Sequence, residues 1–161
     1  MKPLRETFLQ ELADIYDAED QLTEALPKMA EAAEFPELKT AFESHLNETK
    51  THIQRLEQVF QIFGEDAEGE KCKAMKGLIA EGEALIKDEA GDAALIAAAQ
   101  KVEHYEIATY GTLRTWAEIL GESEAVKLLD QTLAEEKETN EKLTHLAESA
   151  INDAASHAHT R

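Results

Sequence analysis

Four long stretches of this sequence repeat apolar residues at steps of three and four, the spacing of one face of an α-helix. The first runs from about Leu4 to Ala33, with a seam of Leu12, Ile15, Glu19, Leu22, Leu26 and Met29. Pro27 lies inside it and should bend the helix or mark a local break. The second follows Pro36, whose ring suits a first helical turn, and runs from about Glu37 to Phe63. Its seam is Leu38, Phe42, His45, Thr49, His52, Leu56, Val59 and Phe63. The third opens at Gly91-Asp92 and reaches Leu120 through Leu95, Ala99, Val102, Glu106, Thr109, Leu113 and Trp116. The fourth runs from about Ser123 to Asn152 through Ala125, Leu129, Thr132, Glu136, Thr139, Leu143, Leu146 and Ala150. A shorter helix is expected between them, over about Glu70 to Lys87, weakened by Gly77 and Gly82.

The connections set the topology. The breaks at Glu34-Phe35-Pro36 and at Gly121 are short, so each joins antiparallel neighbours. The segment from Glu65 to Ala90 is long enough to run the length of a bundle, since a helix of this size spans roughly 40 Å at 1.5 Å per residue. Two helical hairpins joined by one long crossover give an all-α, ferritin-like four-helix bundle whose crossover carries a short extra helix. A plain five-helix bundle is the alternative. Residues 1–153 make one domain on this reading, and the seamless 154–161 form a frayed tail.

Charge limits the partners. There are 34 Asp and Glu against 16 Lys and Arg, a formal net charge of -18. Such a surface repels nucleic acid and anionic membranes and attracts cations. No stretch approaches the length of a membrane span, the N-terminus has no secretory core, and the single Cys72 allows no internal disulfide. A cytoplasmic protein is expected. Phosphate-binding glycine loops, Gly-x-Ser-x-Gly elbows and Cys-x-x-Cys pairs are all missing.

The apolar seams are interrupted by polar residues at one height. Glu19 lies sixteen residues before the turn at Phe35, and Glu48 and His52 lie thirteen and seventeen after it. Glu106 and Glu136 each lie fifteen residues from Gly121, while Glu103 and Asn140 match at eighteen and nineteen. In an antiparallel hairpin equal distance from the turn means equal height. Several carboxylates in a dry core are costly, because burial penalises each charge and like charges repel. No Lys or Arg lies on these seams, so one or two divalent cations would neutralise the cluster; oxygen donors with imidazole suit iron, manganese or zinc. His45 and His52 each lie one helical turn from Glu48 and could share an ion with it. The plainer possibility is that these side chains reach water at the seam edge or pair with Arg55, Lys101 or Arg114. Tyr105 and Tyr110 could hydrogen-bond the carboxylates, although packing is their commoner role.

The blocks Ala18-Glu19-Asp20-Gln21-Leu22-Thr23, His45-Leu46-Asn47-Glu48-Thr49, Ala98 to Ala108 (with Glu103-His104-Tyr105-Glu106) and Leu133-Ala134-Glu135-Glu136-Lys137 resemble the YciE/YciF family of bacterial stress-associated ferritin-like proteins. The resemblance spans nearly the whole chain. It implies a ferritin-like bundle, a homodimer, a di-metal site and expression under stress. Carried onto this sequence, the implied ligands are Glu19, Glu48, Glu103, Glu106 and Glu136, with His45 preferred because it falls inside the His-x-x-Glu-Thr block and His52 as its substitute. The chain departs from the di-iron Glu-x-x-His pattern: Thr51 and Thr139 stand three residues after Glu48 and Glu136.

Three functions follow as expectations. Two iron or manganese ions could support peroxide, dioxygen or Fe(II) redox chemistry, with Glu103 and Glu106 or Glu48 bridging and Glu19 and Glu136 terminal. A non-catalytic dimeric bundle could instead act as a structural or partner-binding stress protein. Metal storage would need a closed cage of many subunits.

Overall fold

The computed structural model describes residues 1–157, and every regular element in them is helical. The elements are α1 (Leu4–Ala32), α2 (Pro36–Ile62), α3 (Lys73–Lys87), α4 (Asp92–Ile119) and α5 (Ser123–Leu146); a π-helical turn (Ala147–Ile151) then leads into α6 (Asn152–Ser156). The seams read from the sequence are the buried faces. Leu12, Ile15, Leu22 and Leu26 of α1 pack with Leu38, Phe42, Leu56 and Val59 of α2, Leu95 and Leu113 of α4, and Leu129 and Leu143 of α5 in one core. Phe8 and Phe63 stack at 4.4 Å between ring centroids where α1 begins and α2 ends.

Each long helix touches two others: α1 packs on α2 and α4, and α5 packs on α2 and α4. The ring order is therefore α1, α2, α5, α4, and the crossover joins diagonal partners. It is strapped along α1. The Glu70 amide donates to the Ala13 carbonyl at 3.0 Å, and the Cys72 amide donates to Asp17 Oδ2 at 2.8 Å. Farther on, Lys28 pairs with Glu83 at 2.8 Å. At the far end the Asp92 carboxylate accepts from the amides of Glu34 and Phe35, at 2.9 and 2.7 Å. The start of α4 thus sits on the turn between α1 and α2, which makes α2 and α4 parallel. This is the two-hairpin, ferritin-like bundle, with α3 as the extra helix on the α1–α4 edge.

Several local expectations change. Pro27 makes no break in α1, which runs through it to Ala32. The proline faces outward, where water can satisfy the Thr23 carbonyl left without an amide donor. The crossover helix begins at Lys73 rather than near Glu70, because residues up to Cys72 are held extended on α1 and the Cys72 sulfur caps the helix by accepting from the Met75 amide at 3.3 Å. On the last helix the seam passes through Ala147 and Ile151, leaving Ala150 exposed. Helix continues to Ser156, into the segment expected to fray; residues 158–161, with His159, lie outside the described residues.

Candidate metal centre

Glu19 on α1, His45 and His52 on α2, Glu103 and Glu106 on α4 and Glu136 on α5 meet at mid-bundle, none of them more than 4% exposed. Helical geometry explains the selection. On α2 the steps from His45 to Thr49 to His52 are four and three residues, so all three point inward. Glu48 is one position off that line, and its side chain stays 31% exposed. On α4, Glu103 and Glu106 are one turn apart and share a face.

The histidines lie against carboxylates. His45 Nε2 is 2.9 Å from Glu103 Oε1, and its Nδ1 is 3.7 Å from Glu48 Oε2. His52 Nδ1 is 2.8 Å from Glu136 Oε1 and 3.5 Å from Glu19 Oε1. The Tyr110 hydroxyl, fully buried, donates to Glu19 Oε1 at 2.5 Å. Yet most of these contacts are short without being aligned. Nine buried side-chain atoms of the six residues, among them both oxygens of Glu106 and of Glu136, have no hydrogen-bond partner. The donor atoms instead cluster in two overlapping sets, His45–Glu103–Glu106–Glu136 and Glu19–His52–Glu136, each within 4.8 Å. Unsatisfied buried polar atoms are rare and costly, so their concentration at one place calls for a missing partner. Carboxylate oxygens with one imidazole per set are a donor group for manganese, iron or zinc, and a divalent ion in each set would satisfy them.

Protonation shows how the cluster stands without a cation. Burial, reinforced by the neighbouring Glu136, Glu19 and Glu103, pushes the Glu106 carboxyl well above the usual range. Burial also raises Glu103 strongly, although His45 opposes it. Burial works against ionised Glu136 too, but the Glu103 carboxyl beside it and the His52 and His45 rings hold it down at about 2. His52 pays for burial as well, yet Glu136 and Glu19 outweigh this and raise it to about 10. Without a cation, Glu103 and Glu106 are thus shifted toward the protonated acid and both histidine rings toward imidazolium, and any such proton must leave before its atom can ligate a cation.

The sequence-level candidates separate accordingly. Glu19, His45, His52, Glu103, Glu106 and Glu136 come together. Glu48 joins neither set; it accepts from Thr139 Oγ1 at 3.2 Å beside His45. His45 and His52 are not substitutes for one another, since each belongs to its own set. Glu136, expected at one end of the site, is the residue both sets share. Asn140, at matching height, accepts from Gln100 instead. Of the three basic candidates only Arg55 approaches: its guanidinium grips Glu135 at 2.5 and 2.9 Å, and Glu135 in turn contacts His52 Nε2 at 2.9 Å. Lys101 and Arg114 pair with surface Glu81 and Glu118. Tyr110 takes the hydrogen-bonding role that the sequence offered it beside packing, whereas the sequence assigns Glu135 none. Glu135 hides beside Glu136 off the seam, and the signal for it was Arg55, one turn after His52 with no acid three or four residues away on its own helix.

Comparison with known proteins agrees with this architecture. Residues 3–156 match the family described as Domain of unknown function (DUF892). Protein YciF of Escherichia coli K12 is 51% identical over 160 residues, covering 96% of each chain. The crystal structure of that E. coli stress protein superposes with a TM-score of 0.89 at 50% identity, over 94% of this chain and 99% of the other. YcfI of Rhodopseudomonas palustris, whose description as a structural protein is provisional, superposes with a TM-score of 0.86 at 46% identity, over 89% and 94% of the two chains. This chain belongs to the YciE/YciF family, whose domain is the one described as DUF892.

Proposed function

We propose that the chain is a di-metal carboxylate protein of the stress response, holding two iron or manganese ions between its four long helices. The observation that carries this reading is the set of nine unpartnered buried donor atoms drawn from all four helices into two overlapping groups. His45, Glu103 and Glu106 would hold one ion, Glu19 and His52 the other, and Glu136 would serve both. Such ions supply redox and Lewis-acid chemistry toward peroxide or dioxygen when bound. The chain's own contribution is orientation. Arg55 fixes Glu135, and Glu135 accepts the His52 Nε2 proton, leaving Nδ1 to face Glu136 and Glu19. Tyr110 pins one Glu19 oxygen and leaves the other free. The apolar seams above and below exclude water.

The test is anaerobic calorimetric titration of metal-free protein with Mn(II) and Fe(II). Two equivalents per chain in wild type, and loss of at least one in Glu136→Gln, are expected; no binding by wild type refutes the reading.

A second reading is a non-catalytic bundle used as a structural or partner-binding stress protein. It is favoured by the close approach of His45 to Glu103 and of His52 to Glu136, which lets the centre close on itself. On that reading a Glu106→Gln, Glu136→Gln double variant would keep its stress-protective effect in cells.

A further inference from the structure

The bundle has two edges where one hairpin meets the other, and they are not alike. The α1–α4 edge is covered by α3, which packs on both helices. The α2–α5 edge carries no such cover among the described residues. Open grooves lie along it, one beside Ala41, Ser44 and Glu138, the other beside Gln61 and Leu128. Between those grooves two partly exposed carboxylates reach in from the rim and approach the histidines of the centre. Glu48 Oε2 lies 3.7 Å from His45 Nδ1, and Glu135 Oε2 lies 2.9 Å from His52 Nε2.

The two are not equally open to a cation. Arg55 grips both oxygens of Glu135, and its permanent positive charge repels any second cation there. Glu48 pairs with no Lys or Arg; it accepts from Thr139 Oγ1 at 3.2 Å. Lys142, whose charge reaches it, is paired with Glu138 at 3.1 Å. The adjoining groove presents Glu37, Glu138 and Glu141 around that lysine, so a cation drawn to the surface is focused toward Glu48.

Behind Glu48 the path continues. His45 is 4% exposed, and neither ring nitrogen has a hydrogen-bond partner. Its Nδ1 faces the rim at Glu48, whereas its Nε2 faces Glu103 at 2.9 Å. A cavity of about 20 Å³, with room for about one water, lies beside His45, Glu103 and Thr139. Ala41 lines both this cavity and the outer groove, so the wall they share is a single methyl group.

We infer that Glu48 is the port through which divalent cations enter the centre: with His45 Nδ1 it forms an outer, two-donor transit site that passes the ion inward to the His45–Glu103–Glu106–Glu136 set. This rests on the di-metal reading for where the ion goes. Glu48 is a positioning residue for loading, not a lasting ligand. Two donors hold an ion weakly, which suits passage, and the four donors behind them retain it. A group that meets the ion only in transit lowers the barrier in both directions. Its loss slows loading and release alike and leaves affinity unchanged, whereas loss of a ligand speeds release and weakens affinity.

Co(II) is the probe, because its d–d absorption reports entry into a protein site. Stopped-flow mixing with the metal-free full chain gives the association rate, a chase with excess EDTA gives release, and calorimetric titration gives Kd. Glu48→Gln should slow association by about tenfold or more and release by the same factor, with Kd within about twofold of wild type. Glu48→Asp should recover part of the association rate. Glu124→Gln, which removes a charge beside the other groove of the same edge, should leave both rates near those of wild type. Unchanged rates in Glu48→Gln, an equal slowing in Glu124→Gln, or faster release with a weakened Kd in Glu48→Gln would overturn the port. A wild type that binds Co(II) while Glu48→Gln leaves the rates unmoved loses the port alone. A wild type that takes up no Co(II) removes the di-metal reading and the port together.

Discussion

At the scale of single residues, Glu106 is the most exposing test. It is fully buried with neither oxygen hydrogen-bonded, and its carboxyl is raised well above the usual range by burial and by Glu136, Glu19 and Glu103. A raised carboxyl pKa contributes stability below about pH 4.5 and loses it as pH rises through the folded value. Glu106→Gln should therefore raise the melting temperature of metal-free protein, and by more at pH 8 than at pH 5, while removing the extra stability that manganese confers. Thermal melts at the two pH values, with and without Mn(II), check both halves. Glu135 gives the complementary case. Its side chain is 30% exposed and touches the centre only through His52 Nε2, so Glu135→Gln should weaken metal binding by about 10- to 100-fold with little change in melting temperature. Nitrogen shifts of the His52 ring would show the lost preference for an Nε2 proton. His45, His52, Glu19, Glu106 and Glu136 were legible in the sequence because a polar residue on an apolar seam has nowhere else to point. Glu48 and Glu135 were harder. Each neighbours the seam by one position, and a rotation of about 100° per residue decides between centre and rim.

At the scale of elements, the long helices could be read from periodicity, whereas the anchors of the crossover could not. Three-and-four spacing is a local signal along one chain segment. The contact between Asp92 and the amides of Glu34 and Phe35 joins residues 58 and 57 positions apart, and no local pattern announces it. The same holds for Asp17 and Cys72, which fix where α3 begins. Because Asp92 is buried and accepts two amide bonds, Asp92→Ala should destabilise the fold by about 2–3 kcal/mol, from charged hydrogen bonds and stranded donors. Urea unfolding measures this; a change under 0.5 kcal/mol would mean that the tie between the hairpins is dispensable. Cys72→Ala removes the sulfur that caps α3 and should cost about 1 kcal/mol, with Cys72→Ser recovering part of it by offering another acceptor.

At the scale of the whole molecule, the centre links stability, charge and cation binding. His52 is raised from 6.5 to about 10, so the stability it contributes is complete below pH 6.5 and is lost as pH climbs toward 10. Glu136 is depressed to about 2, so its contribution is present above pH 4.5 and is lost as pH falls toward 2. Metal-free protein should therefore be most stable in the mildly acidic range, and melts from pH 3 to 10 should trace that dome. Cation binding displaces those protons, so affinity for Mn(II) should rise with pH and binding should release protons into the buffer. Among the described residues no helix is long and apolar enough to cross a membrane, and the net charge of -18 adds a general attraction for cations over the surface. Surface attraction and a built centre are separated most directly by anomalous diffraction from crystals grown with manganese and collected above and below its absorption edge. Two strong peaks should stand between the four long helices, one against His45, Glu103 and Glu106, the other against Glu19 and His52, with Glu136 between them. Peaks confined to exposed carboxylates, with the mid-bundle side chains left in their metal-free pairing, would contradict the account.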